Sequence, residues 1–246
     1  MGCLCFRCST ICGNTMALKS QDGQSQNGKR STRIFLNPLN SEVKPVIKGR
    51  VHMDEKYIHV GKEHGYDLNA IDSKTKYVLA HLYVVERTFP KCVEFLREIK
   101  NTCYEQMFDI YHREKHKPVK KRKLITFVSD KFENYRNAFN KLFYRTCKLQ
   151  FGVPIACKKY GLKHNNNPIE RYNGSIKDRT KTMRDFGSHE GAESFLNLKR
   201  TIHNFVNPHM TIMKTPAKEA GIDLKLGRRK LLKLIKHVSI YHTPIR

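Results

Sequence analysis

No run in the chain approaches the roughly 18 consecutive apolar residues that cross a bilayer. The longest apolar stretch, Tyr77 to Val85, is interrupted by His81. The amino terminus lacks the long apolar core of a signal peptide, and Phe6 sits where a myristoylation signal starting at Met1-Gly2 requires Ser or Thr. Carboxylates are also scarce: 22 Asp and Glu stand against 47 Lys and Arg, a formal net charge of +25. That excess of cation is far beyond what solubility needs and points to a polyanionic partner, nucleic acid first and an anionic membrane second. A disulfide framework is absent as well. Cys92, Cys103, Cys147 and Cys157 fall singly within apolar patterns and read as buried thiols of a reducing, cytoplasmic compartment. Cys3, Cys5, Cys8 and Cys12 are spaced more tightly than the paired knuckles of a zinc ribbon, so Zn²⁺ is not expected there.

What is present is enough for a core: 246 residues, 39% of them hydrophobic. Composition divides the chain into three. Residues 1–48 hold the cysteine cluster and a polar stretch, Lys19 to Arg33, expected to be disordered and too irregular for an intact DNA-recognition module. Residues 49–222 carry the periodic patterns of a folded core, and residues 223–246 a basic, helical tail.

Within the core, VHMDEKYIHV from Val51 reads as a strand, in which neighbours point to opposite faces; Asp54 and Glu55 therefore cannot both reach one site. Tyr66 to Ile71 alternates apolar Tyr66, Leu68 and Ala70, then Asp72 to Lys76 reads as a turn and Tyr77 to Val85 as a third strand, completing an antiparallel meander. Cys92, Phe95, Leu96, Ile99, Cys103 and Met107 recur at helical spacing between Thr88 and Tyr111. Past the cationic loop from Arg113 to Lys123, read as a DNA contact, Leu124 to Val128 is a short strand ending at Ser129-Asp130. The helix that follows turns Phe132, Tyr135, Phe139, Leu142 and Phe143 inward, so Asp130 lies at a strand's carboxyl end, where ligands collect in open α/β sheets. Val153 to Cys157 is only weakly patterned.

His164 to Gly187 organises the rest. Asn167 suits the N-cap, Pro168 the first helical position and Glu170 the capping-box acid. At 3.6 residues per turn, Ile169, Tyr172, Ile176 and Met183 share an inward stripe. The opposite side presents Glu170, Asn173, Gly174, Lys177, Lys181 and Arg184, with Arg171 and Arg179 alongside, a surface suited to gripping a phosphodiester backbone. A further helix from Gly191 to Val206 is expected to bury Phe195, Leu198, Ile202 and Phe205.

Meander, helix, strand, helix and a later acid-bearing helix is the element order of a ribonuclease-H-like α/β fold: a mixed five-stranded sheet flanked by helices. Asp54, Asp130 and Glu170 would then converge at one sheet edge. Three carboxylates so placed repel one another unless cations neutralise them, and hard oxygen ligands suit Mg²⁺ or Mn²⁺. Two such ions about 4 Å apart serve an in-line phosphoryl displacement.

The chain resembles the DDE transposases of prokaryotic insertion sequences, which share the retroviral-integrase catalytic core. The likeness lies in His52-Met53-Asp54-Glu55, Ala70-Ile71-Asp72-Ser73, Ser129-Asp130 with Tyr135, Asn167-Pro168-Ile169-Glu170-Arg171 with Lys177, Arg179, Thr180 and Arg184, and Asn207-Pro208-His209 with Thr215-Pro216-Ala217. It spans about residues 50 to 222. The resemblance implies that Asp54, Asp130 and Glu170 hold two Mg²⁺ or Mn²⁺ ions, that the substrate is double-stranded DNA at element ends and target, and that a homodimer or larger assembly forms on it. Water and then a DNA 3′-hydroxyl would be the nucleophiles. Two other readings share these residues: a catalytically inactive or domesticated DNA-binding derivative, and a ribonuclease-H-like nuclease without strand transfer.

Overall fold

Strand β1 (Val51–Val60) turns through Gly61 into β2 (Glu63–Asp72), and Gly61 takes φ 58°, the left-handed conformation that so short a hairpin connection favours. In the computed structural model, which describes residues 43–130, 132–151, 167–183 and 185–240, β3 (Val78–Val84) completes the antiparallel meander. The cysteine cluster at Cys3 to Cys12, the polar stretch after it, Val153 to Cys157 and Arg184 lie outside the described residues. Asp72 organises the turn as its residue type suggests: its carboxylate accepts from the backbone N–H of Gly49 at 2.7 Å and of Thr75 at 2.8 Å.

Helix α1 (Phe89–Glu114) follows, then β4 (Thr126–Ser129), α2 (Glu133–Phe143) and β5 (Lys148–Phe151). β4 pairs parallel to β1 and β5 parallel to β4, so the sheet runs β3-β2-β1-β4-β5, the ribonuclease-H-like arrangement. After α3 (Asn167–Met183) come α4 (His189–Thr201), a π-helical turn (Ile202–Val206), the single turn α5 (Pro216–Glu219) and α6 (Lys230–Ile240).

Each face of the sheet has its own apolar layer. Met53, Leu68, Ala80 and Phe127 pack with Phe95, Leu96 and Ile99 of α1 and Tyr135 and Phe143 of α2. Ile58, Val60, Ile71 and Val78 pack with Ile169, Tyr172 and Ile176 of α3 and Leu196 of α4. Burying such a large side chain stabilises the fold by roughly 1.5–3 kcal/mol relative to exposure, which is why the apolar seams of α1 and α2 lie where their periodicity puts them.

Two inward stripes differ from expectation. Met183, in the last turn of α3, is 47% exposed, whereas Phe186 three residues on bridges Val60 of β1 and is buried. Phe195 packs on the second layer and Phe205 is buried as expected, but Leu198 is 40% exposed and the inner residues of α4 are Ala192, Leu196, Arg200 and Thr201. The phase slips because Arg200, by its charge a solvent residue, is buried and holds Glu98 at 2.8 Å. The basic segment from Asp223 lies against the first apolar layer, with Leu224 and Leu226 packed on it and Leu234 buried in it.

The outer edge of β3 is covered by side chains along its first half. Arg200 donates to the carbonyls of Val78 (3.3 Å) and Leu79 (2.8 Å), Asn204 bonds both the N–H and the carbonyl of Val78, and the N–H of His81 donates to Glu98 Oε2 at 3.3 Å. Edge strands with free backbone groups invite pairing, and these are occupied.

Candidate active site

The parallel ladder between β1 and β4 sets the first two acids side by side. Val51 pairs with Phe127 and His52 with Val128; continuing that register two residues puts Asp54 level with Asp130, just past the carboxyl end of β4. Asp130 Oδ1 accepts from the N–H of Phe132 at 3.2 Å, an Asx turn that launches α2. Asp54 is less exposed. Burial, then the neighbouring charges of Glu55 and Asp130, push its carboxyl up from 3.8 to about 7.

Glu55, on the other face of β1, is held by the Arg87 guanidinium. Arg87 in turn lies 4.4 Å from the ring centre of Tyr66 and 4.9 Å from that of Phe132, and Asn134 donates to its carbonyl at 2.9 Å. Asp54 and Glu55 thus divide between faces as strand alternation dictates. Burial and the nearby Asp130 raise the Glu55 carboxyl despite Arg87.

Helix α3 covers the face that carries Asp54. Asn173 is buried and donates its amide to Asp54 Oδ2 at 3.1 Å, so it faces the sheet. Its oxygen lies 3.5 Å from Asn69 Nδ2, which also donates to Asp67 Oδ2 at 2.8 Å; Asp67 Oδ1 is 2.6 Å from His81 Nε2. Asp54, Asn69 and His81 are cross-strand partners on one face of the meander, so a buried polar chain runs from the catalytic candidate to the far edge of the sheet. Reading β2 as half-buried conceals it, because Asp67 and Asn69 then count as solvent residues; their strict alternation with Leu68 and Ala70 was the available signal.

Glu170 stands one turn before Asn173 on α3 and is half-buried. Among the described residues no group of three or more His, Cys, Asp or Glu is arranged to hold a metal ion; Asp130 is near enough to Asp54 for its charge to help raise the Asp54 carboxyl. The two aspartates offer hard oxygen donors that fit a divalent cation, and such an ion would favour the charged form of Asp54, whose carboxyl is raised by burial first, then by Glu55 and by Asp130. Arg171, Lys177, Arg179 and Lys181 are exposed along α3. No helix among the described residues is long and apolar enough to cross a membrane.

Residues 48–209 match a family model described as a DDE domain. Among solved structures the chain is similar to one from the simian T-cell lymphotropic virus intasome in complex with PP2A regulatory subunit B56 gamma, at 11% identity and a TM-score of 0.47, covering 74% of this chain. It spans 57% of that chain's length. It is also similar to the HTLV-2 integrase catalytic core domain in complex with magnesium: 15% identity and TM-score 0.38 over 71% of this chain and 97% of that one for the trimeric form. For the dimeric form the values are 16%, 0.38, 70% and 94%. No curated protein sequence matches the chain.

Proposed function

The chain belongs to the DDE-domain family of insertion-sequence transposases, and on that premise we propose that it cuts double-stranded DNA at element ends and joins the freed 3′-hydroxyl to target DNA. The observation that supports this reading is the Asp54 carboxyl beside the parallel β1–β4 ladder, raised by burial and by the charges of Glu55 and Asp130. In this reading Asp54, Asp130 and Glu170 hold two Mg²⁺ or Mn²⁺ ions, with Glu170 supplied from α3. Bound there, the ions supply activation of the attacking oxygen and charge relief at the leaving oxygen.

The protein's own groups prepare that site. Asn173 fixes the direction of the Asp54 carboxylate, Arg87 keeps Glu55 engaged on the other face, and the Asx turn holds Asp130 at the mouth of β4. Arg171, Lys177, Arg179, Lys181 and Arg184 would grip backbone phosphates, binding with an affinity that falls steeply with salt. Joining needs two DNA ends held together, so a homodimer or larger assembly on DNA belongs to the proposal, as does a cytoplasmic, nucleoid-associated location.

The test is incubation with duplex DNA carrying the element's ends and Mg²⁺ or Mn²⁺, resolving cut and joined strands. Asp54→Asn, Asp130→Asn and Glu170→Gln are each expected to abolish both products and keep salt-sensitive binding; an equally active variant removes that residue from the site. A second reading is DNA binding without catalysis, through the exposed cationic row of α3. Wild-type protein that binds ends but yields neither product would establish it. Cut strands without joined ones would instead indicate a nuclease.

A further inference from the structure

A cavity of about 580 Å³ opens beside the first turn of α3, between the β2–β3 turn and the loop after the π-helical turn. Its walls include Lys76, Arg171, His203 and His209, and among the described residues no carboxylate lines it. Lys76 sits in the left-handed conformation at φ 60° and gives one ammonium hydrogen to the carbonyl of Ser73, leaving two for a ligand. His203 contacts the carbonyl of Lys76 through Nε2 at 2.9 Å, and burial pushes it down to about 4, so it is neutral and donates there. Its ring meets Tyr172 and His209 edge-on and acts as a wall. His209 accepts the Thr211 N–H on Nδ1 at 3.2 Å, which leaves its Nε2–H as a donor. The charges of Lys76 and Arg171 add to burial in lowering His209; Lys76 is lowered by burial against the opposing charge of Asp72, with Arg171 adding to the lowering. Cations lining a cavity that no carboxylate enters among the described residues, next to the first turn of a 17-residue helix, favour an anion.

The geometry points to this cavity as a binding site for a backbone phosphate of duplex DNA, held by Lys76, Arg171 and the Nε2–H of His209. It rests on the DNA-binding part of the function proposed above and not on its chemistry. Arg171 decides between a DNA phosphate and a free nucleotide, because it begins the exposed cationic row that continues through Lys177, Arg179 and Lys181 on the same helix.

The experiment is fluorescence anisotropy of a labelled duplex across a salt series, without divalent ions, for the wild type, Lys76→Asn, Arg171→Gln and Lys91→Ala. Asn tolerates the left-handed backbone at position 76, and the exposed Arg171 keeps the comparison interpretable if Lys76→Asn lowers the melting midpoint. Lys91 pairs with Glu94 on α1, across the sheet. Lys76→Asn and Arg171→Gln are each expected to weaken low-salt binding several-fold and to reduce the slope of log K against log salt by about 0.9, whereas Lys91→Ala changes neither. Wild-type slopes in both variants overturn the inference, as does a wild type that binds no duplex. If ATP stabilises the wild type but not Arg171→Gln while duplex slopes stay equal, the ligand is a free nucleotide and the inference also fails. Lowered slopes with no cutting in Mg²⁺ leave the phosphate site standing and sink the catalytic reading.

Discussion

Asn173 donates its amide to Asp54 Oδ2 at 3.1 Å while its own oxygen lies 3.5 Å from Asn69 Nδ2, so one side chain of α3 ties the helix to two neighbouring strands. An asparagine is well suited to this place because it is donor and acceptor at once and adds no charge beside two aspartates. Asn173→Ala should lower unfolding free energy by about 1–3 kcal/mol, the usual cost of stranding buried polar partners. Urea unfolding reads this directly. Rescue by no other residue than Gln would be consistent with the paired donor and acceptor; an unchanged midpoint would show that the link contributes nothing.

Asp54 gives the metal-free protein a pH dependence with a definite sign. Its carboxyl rises from 3.8 to about 7 on folding, so between those values the folded state binds more protons than the unfolded one. The stabilisation is complete below 3.8 and gone above about 7, and melting in a chelator should therefore fall as pH is raised from 5 to 8. Asp54→Asn should flatten that part of the profile and melt higher than wild type at pH 8, because the strained charge is gone. It should also lose any stabilisation by Mn²⁺. A variant with the wild-type slope would assign the titration to another group, Glu55 being the next.

Removing Arg87 should be costly in proportion to the charge it strands. Glu55 is only 12% exposed at its side chain, and Arg87 33%, so Arg87→Met is expected to destabilise by about 1–3 kcal/mol, below the 3–5 kcal/mol of a fully buried pair. Arg87→Lys should recover little of this, since an ammonium lacks the planar guanidinium that reaches Glu55 while lying 4.4 Å and 4.9 Å from the ring centres of Tyr66 and Phe132. Chemical denaturation of both variants at pH 7 checks the ranking.

Arg200 is the corresponding test on the other side. It is 3% exposed, paired with Glu98 and bonded to two β3 carbonyls. Arg200→Met is expected to cost about 3–5 kcal/mol and to accelerate amide exchange along β3 more than along β1. Uniform acceleration would mean that the residue supports global stability without guarding the strand.

The sequence made the apolar skeleton legible because burial imposes a period. Cys92 through Met107 in α1 and Tyr135, Phe139 and Phe143 in α2 are buried where their spacing puts them, and the alternation in β1 separates Asp54 from Glu55. β5 escaped an element-by-element reading because it is four residues long and only partly buried. The polar interior escaped for a different reason. Asp67, Asn69, His81, Asn173 and Arg200 are buried by pairing with one another or with nearby carboxylates and carbonyls, and pattern reading sends each of them to the surface. Asn173 is the sharpest case: expected on a phosphate-gripping face, it lies under the helix, turned toward Asp54. The nearness of Asp130 to Asp54 could be anticipated from topology, but the position of Glu170 could not, since it depends on how α3 lies across the sheet.

The side chains that cap the first half of β3 also bear on how copies of this protein can meet. With Val78, Leu79 and His81 already answered from within the same chain, a second molecule finds no hydrogen-bonding template there. An intermolecular sheet through the Val78–His81 half of that border is foreclosed, and any pairing of protomers on DNA has to be built elsewhere.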